Sequence, residues 1–272
     1  MAVDTQPEIY MVHQPGKVGS QTIEAALRAS GVYRIERHHY LSDTGIGWLE
    51  AALIAGTVGN ADVAAQLRTA REARTNLDRT DRVWVLCGFR DPLRLCVAAY
   101  FQNLPLYCPW LTYRESAIPR EVETLIVSFN THFDRVICGD VRTDYTDAVL
   151  KLKLQGPEPW FNKEFNPFYQ MDIYDHPVGS DSVVRFEKGR FRFVLYRTET
   201  LQFCLREIIR RVGLRPPSIL KSENVGAEKV YGRLYAAFKK RFRPTSAMID
   251  YYYGGRYFQH FYNGTVARRR DC

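Results

Sequence analysis

Long apolar stretches are missing from this 272-residue chain. No run approaches the roughly 20 residues that a membrane-spanning helix needs, so no integral membrane segment is expected. The polar Met1–Glu8 segment passes directly into Ile9-Tyr10-Met11-Val12, without the charged start, longer apolar stretch and cleavage site of a secretory signal. A cytoplasmic location is therefore expected. The six cysteines (Cys87, Cys96, Cys108, Cys138, Cys204, Cys272) form no C-x-x-C pair, which points to reduced thiols. Adjacent His38 and His39 lack a third ligand at a recognisable spacing, and neighbours in a strand point to opposite faces, so no metal is expected. Repeats, low-complexity tracts and Gly/Ser linkers are also missing. Residues 1–272 accordingly read as a single domain, of a length that α/β folds reach.

Positive charge is in excess: 38 Lys and Arg against 30 Asp and Glu give a formal +8. Such a surface attracts anions of any class, whether nucleic acid, a phosphorylated cofactor or an acidic glycan. The familiar nucleic-acid reader motifs are absent, so no nucleic-acid partner is expected. Arg268-Arg269-Arg270 reads as a solvated tail.

Three short apolar runs, Ile9–His13, Val83–Phe89 and Phe191–Tyr196, have the length and flanking turns of buried parallel strands. Each leads through a turn into a helical pattern: Thr22–Ser30, closed by Gly31; Leu93–Asn103, after a capping Asp91 and Pro92; and Leu201–Val212, closed by Gly213. Ala61–Leu77 also has helical spacing, and Val225–Tyr262 reads as two helices separated at Pro244. The recurring strand-turn-helix unit predicts an α/β fold with a parallel sheet, whose ligands gather at the carboxyl ends of the strands.

Gln14-Pro15-Gly16-Lys17-Val18-Gly19-Ser20, after the first strand, carries the most chemistry. Small residues at a helix N-terminus let main-chain N–H groups approach an anion, and Lys17 adds a point charge. The lysine precedes the second glycine, so the turn fails the G-x-x-x-x-G-K-[ST] pattern of nucleoside triphosphatases. Arg90 leaves the neighbouring strand at the same edge, where a guanidinium suits a second phosphate. The plain alternatives are a tight connection for the turn and pairing with Asp91 or a helix end for Arg90.

At these residues the chain resembles the PAPS-dependent sulfotransferases (PAPS, 3′-phosphoadenosine 5′-phosphosulfate), in particular their bacterial capsular polysaccharide synthesis branch. Gln14–Thr22 is similar to the family's 5′-phosphosulfate loop, and Arg90-Asp91-Pro92 with Ala99–Leu104 to its 3′-phosphate element. Pro159–Glu164 and Met171–Tyr174 resemble the branch's W-F-D-x-E and I-D-V-Y segments. Phe193–Leu201 resembles a strand ending in R-x-E-x-L, and His260-Phe261-Tyr262 the closing H-F-Y. The resemblance implies a P-loop-like three-layer fold, a central parallel sheet flanked by helices. It puts Gly16, Lys17, Val18, Gly19, Ser20, Gln21 and Thr22 around the 5′-phosphosulfate and Arg90 on the 3′-phosphate. Ala98 stands where the family usually has a serine, Asn162 where it has Asp, and Gln21 where a small hydroxyl residue is common.

Sulfuryl transfer needs in-line attack, a stabilised leaving oxygen and a group that takes the acceptor's proton, but no metal. Lys17 is the candidate for the leaving phosphate. His39, in Arg37-His38-His39-Tyr40-Leu41, is the preferred base, on its titration range and on a histidine that related enzymes carry here; Glu164 is the second choice. The expected acceptor is a hydroxyl, a polysaccharide among the candidates, selected by Leu104–Gly179. The alternative is a catalytically degenerate nucleotide- or glycan-binding protein of the same fold.

Overall fold

The computed structural model describes residues 8–54, 60–141, 145–178, 182–218 and 229–262. Cys272 and the Arg268–Arg270 tail lie outside the described residues. In chain order the first elements are β1 (Ile9–His13), α1 (Ser20–Ala29), β2 (Ile35–His38), α2 (Asp43–Ile54), α3 (Asn60–Asp78) and β3 (Val83–Phe89). The helices α4 (Pro92–Gln102), α5 (Leu104–Tyr107), α6 (Ile118–Ile137), α7 (Tyr145–Leu154) and α8 (Glu158–Trp160) follow. A π-turn, Phe161–Phe165, leads into α9 (Asn166–Tyr169), β4 (Val183–Lys188), β5 (Phe191–Arg197) and α10 (Leu201–Arg211). The last helices are α11 (Gly232–Arg241), α12 (Ser246–Gly254) and α13 (Arg256–Tyr262). None of the described helices is long and apolar enough to cross a membrane.

The chain divides into two compact units, one made of Met1–Arg90, Pro159–Glu223 and His260–Cys272, the other of Asp91–Glu158 and Asn224–Gln259. The first holds a five-stranded sheet in the order β2-β1-β3-β5-β4. Every residue of β1 and β3 is buried, as a parallel strand covered on both faces requires, and this is why their sequences are unbroken apolar runs. Alternation sorts the side chains: Tyr10, Val12, Leu86, Val194 and Tyr196 pack with Ile23 and Leu27 of α1 and Leu205 and Ile208 of α10. On the opposite face Phe193 meets Phe165 and Tyr169 at 5.8 and 4.9 Å between ring centroids.

The expected strands form, β5 reaching one residue further, to Arg197. The sheet is not wholly parallel. Four strands are, but β4 pairs antiparallel with β5 through the Gly189-Arg190 turn. Neither edge strand shows an apolar run: Ile35-Glu36-Arg37-His38 and Val183–Lys188 each have a neighbour on one side only and carry the charges that protect an open edge.

In the second unit the regular elements among the described residues are all helices, with Phe101, Phe129, Phe133 and Phe238 buried. Asp91 caps α4 as expected, its carboxylate accepting from Arg94 N at 3.0 Å with Pro92 in the first turn. Val225–Tyr262 holds three helices in its described part rather than two, because the chain breaks again at Gly255 as well as near Pro244. There the Glu158 carboxylate accepts the Tyr257 N–H at 2.9 Å and caps α13, and a Cβ on Gly255 would stand 2.6 Å from the same carboxylate.

Gly88 of β3 has no room for a side chain. A Cβ there would lie 2.8 Å from the Val18 carbonyl and 2.9 Å from the Tyr196 ring. Gly88→Ala is expected to cost about 1–3 kcal/mol, read by denaturant unfolding, because main chain and a packed ring must both shift. Unchanged stability would show that the β1–α1 turn moves freely away from β3.

Candidate functional site

The strand order puts β1 between β2 and β3, so the connections from its region leave toward opposite sides of the sheet. In an open α/β sheet this reversal opens a crevice at the carboxyl ends of the two diverging strands, and ligands bind there. The turn after β1 and Arg90 after β3 both emerge at that edge.

The turn is held by its carbonyls. Arg90 Nη1 donates to the Lys17 carbonyl at 2.9 Å. The Val18 carbonyl accepts from Thr198 Oγ1 at 3.4 Å and stands 3.2 Å from the Tyr196 hydroxyl. Lys17 has φ 69° and Gly19 φ 84°, both left-handed. Such a conformation costs a lysine of order 1 kcal/mol or more and persists only where surrounding bonds enforce it. Gly19 also has Leu201 against its Cα, with 2.5 Å between an added Cβ and Leu201 Cδ2. It brings no side-chain cap to α1, and the first turn of that helix holds no acidic residue. Val18 and Thr22 are buried anchors, Gln21 is exposed, and a Cβ on Gly16 would meet nothing within 4 Å. Beneath the turn, the wholly buried Gln14 accepts through Oε1 from Gly88 N at 2.8 Å and from the Tyr196 hydroxyl, leaving its Nε2 without a hydrogen-bond partner.

His39 follows β2 immediately. Its Nδ1 is 2.7 Å from the Gln14 carbonyl, and since a carbonyl only accepts, Nδ1 carries a hydrogen, which in a neutral ring leaves the lone pair on Nε2. That tautomer suits a general base. Lys17, Arg90 and His39 are thus linked through one turn, the first two directly and the third through Gln14.

Glu164 has another place. It is 2 % exposed, and Oε1 accepts from Leu41 N, from Ser42 N at 2.8 Å and from His13 Nε2 at 3.1 Å, while Oε2 accepts from Ser42 Oγ at 2.7 Å. Burial alone would raise its pKa, but the bonds from His13, Ser42 and Leu41 outweigh this and hold it below the ordinary carboxylate value. Burial pushes His13 below the usual histidine value against the pull of Glu164. Neutral His13 donates from Nε2 to an ionised Glu164, and its Nδ1 accepts the Tyr169 hydroxyl at 3.0 Å. The π-turn Phe161–Phe165 aims Glu164 at these donors, the kind of role in which a π-bulge recurs. Trp160 Nε1 donates to the His39 carbonyl at 2.8 Å, so the same segment grips both ends of the stretch from His39 to Ser42.

The R-x-E-x-L and H-F-Y segments meet each other. Arg197 Nη2 donates to the Phe261 carbonyl at 3.1 Å and its guanidinium lies 5.0 Å over the Tyr262 ring, whose hydroxyl donates to Glu199 at 3.1 Å. Thr198 and Leu201, between and after them, touch the Gly16–Ser20 turn. Sequence reasoning missed His13, Tyr196 and Thr198 as parts of this site. The available signal was polar residues at the carboxyl ends of otherwise apolar strands.

Neutral His13 and ionised Glu164 have one consequence for stability. Both folded pKa values are depressed, so the unfolded chain takes up protons first, His13 below about pH 6.5 and Glu164 through the carboxylate range. Stability is full above that pH and falls as pH drops. His13→Gln is expected to be less stable at neutral pH but to lose less on acidification from about pH 7 to 5.5, compared by thermal unfolding. A parallel decline in both proteins would mean that His13 does not carry this step.

Residues 147–263 match the NKWYS family, described as "Putative capsular polysaccharide synthesis protein". The matched stretch is less than half the chain and holds Glu164, Arg197, Thr198 and Tyr262, but lies wholly after the Gly16–Thr22 turn, His39 and Arg90. No curated protein and no solved structure matches the chain.

Proposed function

We propose that the chain is a sulfotransferase that moves the sulfuryl group of 3′-phosphoadenosine 5′-phosphosulfate to a hydroxyl of a carbohydrate. One observation carries the reading: a turn with Lys17 and Gly19 left-handed, at a helix N-terminus without a side-chain cap, on the switch-point edge, with Arg90 bonded to it. Carbonyls drawn into the sheet and an acid-free first turn suit a doubly charged anion. The family match over residues 147–263 supports a glycan acceptor.

When bound, the donor supplies an activated sulfuryl group on a phosphate leaving group. Lys17 stabilises the negative charge that the leaving phosphate oxygen gains as its bond to sulfur breaks. His39 Nε2 takes the proton from the acceptor hydroxyl as the acceptor oxygen bonds to sulfur. Arg90 binds the 3′-phosphate and holds the Lys17 carbonyl, so position and charge come from one side chain. Glu164 takes no part in proton transfer in this scheme, because its oxygens are committed to Leu41, Ser42 and His13.

Calorimetric titration with adenosine 3′,5′-bisphosphate tests the cofactor site. Micromolar-range binding is expected for the wild type, weaker by about 10–100-fold in Arg90→Ala and also reduced in Lys17→Ala, as for loss of charge-assisted bonds. No binding by the wild type would remove the proposal. His39→Ala should keep the nucleotide affinity and lower turnover about 100–10,000-fold, followed by release of adenosine 3′,5′-bisphosphate from PAPS. Undiminished turnover would take the base role from His39.

A further inference from the structure

Beside His39 a cavity of about 230 Å³ opens between the β2 edge and helices α2 and α3. Its walls include His39 and Tyr40, Leu49 of α2, and Gln66 and Thr69 of α3, with Arg37 also lining it. Sequence reasoning put acceptor choice in Leu104–Gly179, to which none of these residues belongs. The volume falls below the roughly 300–1,000 Å³ of pockets for drug-sized ligands, so it suits one ring and not an extended chain. The walls pair an aromatic and an aliphatic side chain with an amide and a hydroxyl, which suits the alternating C–H and O–H surfaces of a sugar.

Charge narrows the choice. Arg37 Nε lies 3.0 Å from Glu24 Oε2, and Arg28 Nη2 lies 2.9 Å from Glu24 Oε1. Glu24 is thus shared by two guanidinium groups, and although His38 in the cavity wall pairs with Glu36 at 3.2 Å, neither carboxylate lines the cavity and Arg37 does, which gives that side a positive bias.

We infer that this cavity is the acceptor subsite and that it takes one sugar ring bearing a carboxylate, such as a uronic acid, with a ring hydroxyl directed to His39. The inference rests on the proposed sulfotransferase reading for the hydroxyl's fate, but the sugar site itself can be tested apart from it. Thr69 and Gln66 are exposed on α3, so their replacement leaves the core intact.

The probes are methyl β-D-glucuronide and methyl β-D-glucoside, titrated by saturation-transfer NMR against wild type, Thr69→Trp and Gln66→Ala. Adenosine 3′,5′-bisphosphate affinity is measured on the same samples. The wild type should bind the glucuronide about 3–5-fold more tightly than the glucoside, the range of a solvent-exposed charge contact. Thr69→Trp, which fills the cavity, should abolish sugar binding, Gln66→Ala should weaken it, and both should keep the wild-type nucleotide affinity. Glucuronide binding that survives Thr69→Trp unchanged, or nucleotide binding without sugar binding, overturns the subsite. Equal affinity for the two glycosides overturns its acidic preference. Sugar binding that Thr69→Trp abolishes, in a protein that binds no nucleotide, supports the sugar site and overturns the sulfotransferase reading.

Discussion

A buried carboxylate keeps its charge only if the protein replaces the water it lost, and at Glu164 that requirement organises the first unit. Desolvating an ion costs several kcal/mol even after relaxation, so donors must converge with good geometry. They come from the end of β1 through His13 and from the chain after β2 through Leu41 and Ser42. Two segments distant in sequence are bound by one side chain, itself aimed by a π-turn. A Cβ on Gly45 would overlap Glu164 Oε2, so even the first turn of α2 is fitted to this anion. What is fixed as a result is the backbone that bears His39. The candidate base is held at its ring by Gln14 and at its carbonyl by Trp160, and Leu41 and Ser42 just beyond it are held by Glu164.

The turn after β1 is built on the complementary principle. Main-chain N–H groups can face an anion only if the accompanying carbonyls are satisfied elsewhere, and here Arg90, Tyr196 and Thr198 address those of Lys17 and Val18. The left-handed conformations of Lys17 and Gly19 are the geometric cost of that arrangement. Glu164 secures the base side and β3 with β5 secure the turn, while Gln14 touches both through its carbonyl and its amide oxygen.

Much of this was legible in the sequence, and the parts that were not share a cause. The strands β1, β3 and β5 are buried between layers and announce themselves as apolar runs. The edge strands β2 and β4 face solvent along one side, carry charge, and leave no such run. The turn after β1 and the placing of Arg90 at the same sheet edge were legible because glycines and polar residues end two apolar runs there. The role of Glu164 was not: a carboxylate looks the same in sequence whether it will take a proton or anchor two backbone N–H groups, and only its burial and its partners distinguish the two. The antiparallel β4 was hidden because direction depends on which neighbour a strand finds, not on its composition.

The family match and the candidate site occupy different parts of the chain, yet they constrain each other. Residues 147–263 contribute Tyr196, Thr198 and Leu201, whose packing and hydroxyl contacts fall on Val18 and Gly19, and Glu164, whose acceptors face Leu41 and Ser42. Buried polar groups of this kind are tolerable only with their counterparts present, since an uncompensated carboxylate or hydroxyl would cost more than the contact gains. The matched stretch is therefore half of a construction that the first 90 residues complete. Its partners are a turn with inward carbonyls after β1 and a bend with two N–H groups after β2, the two features on which the proposed anion cradle and the candidate base would stand.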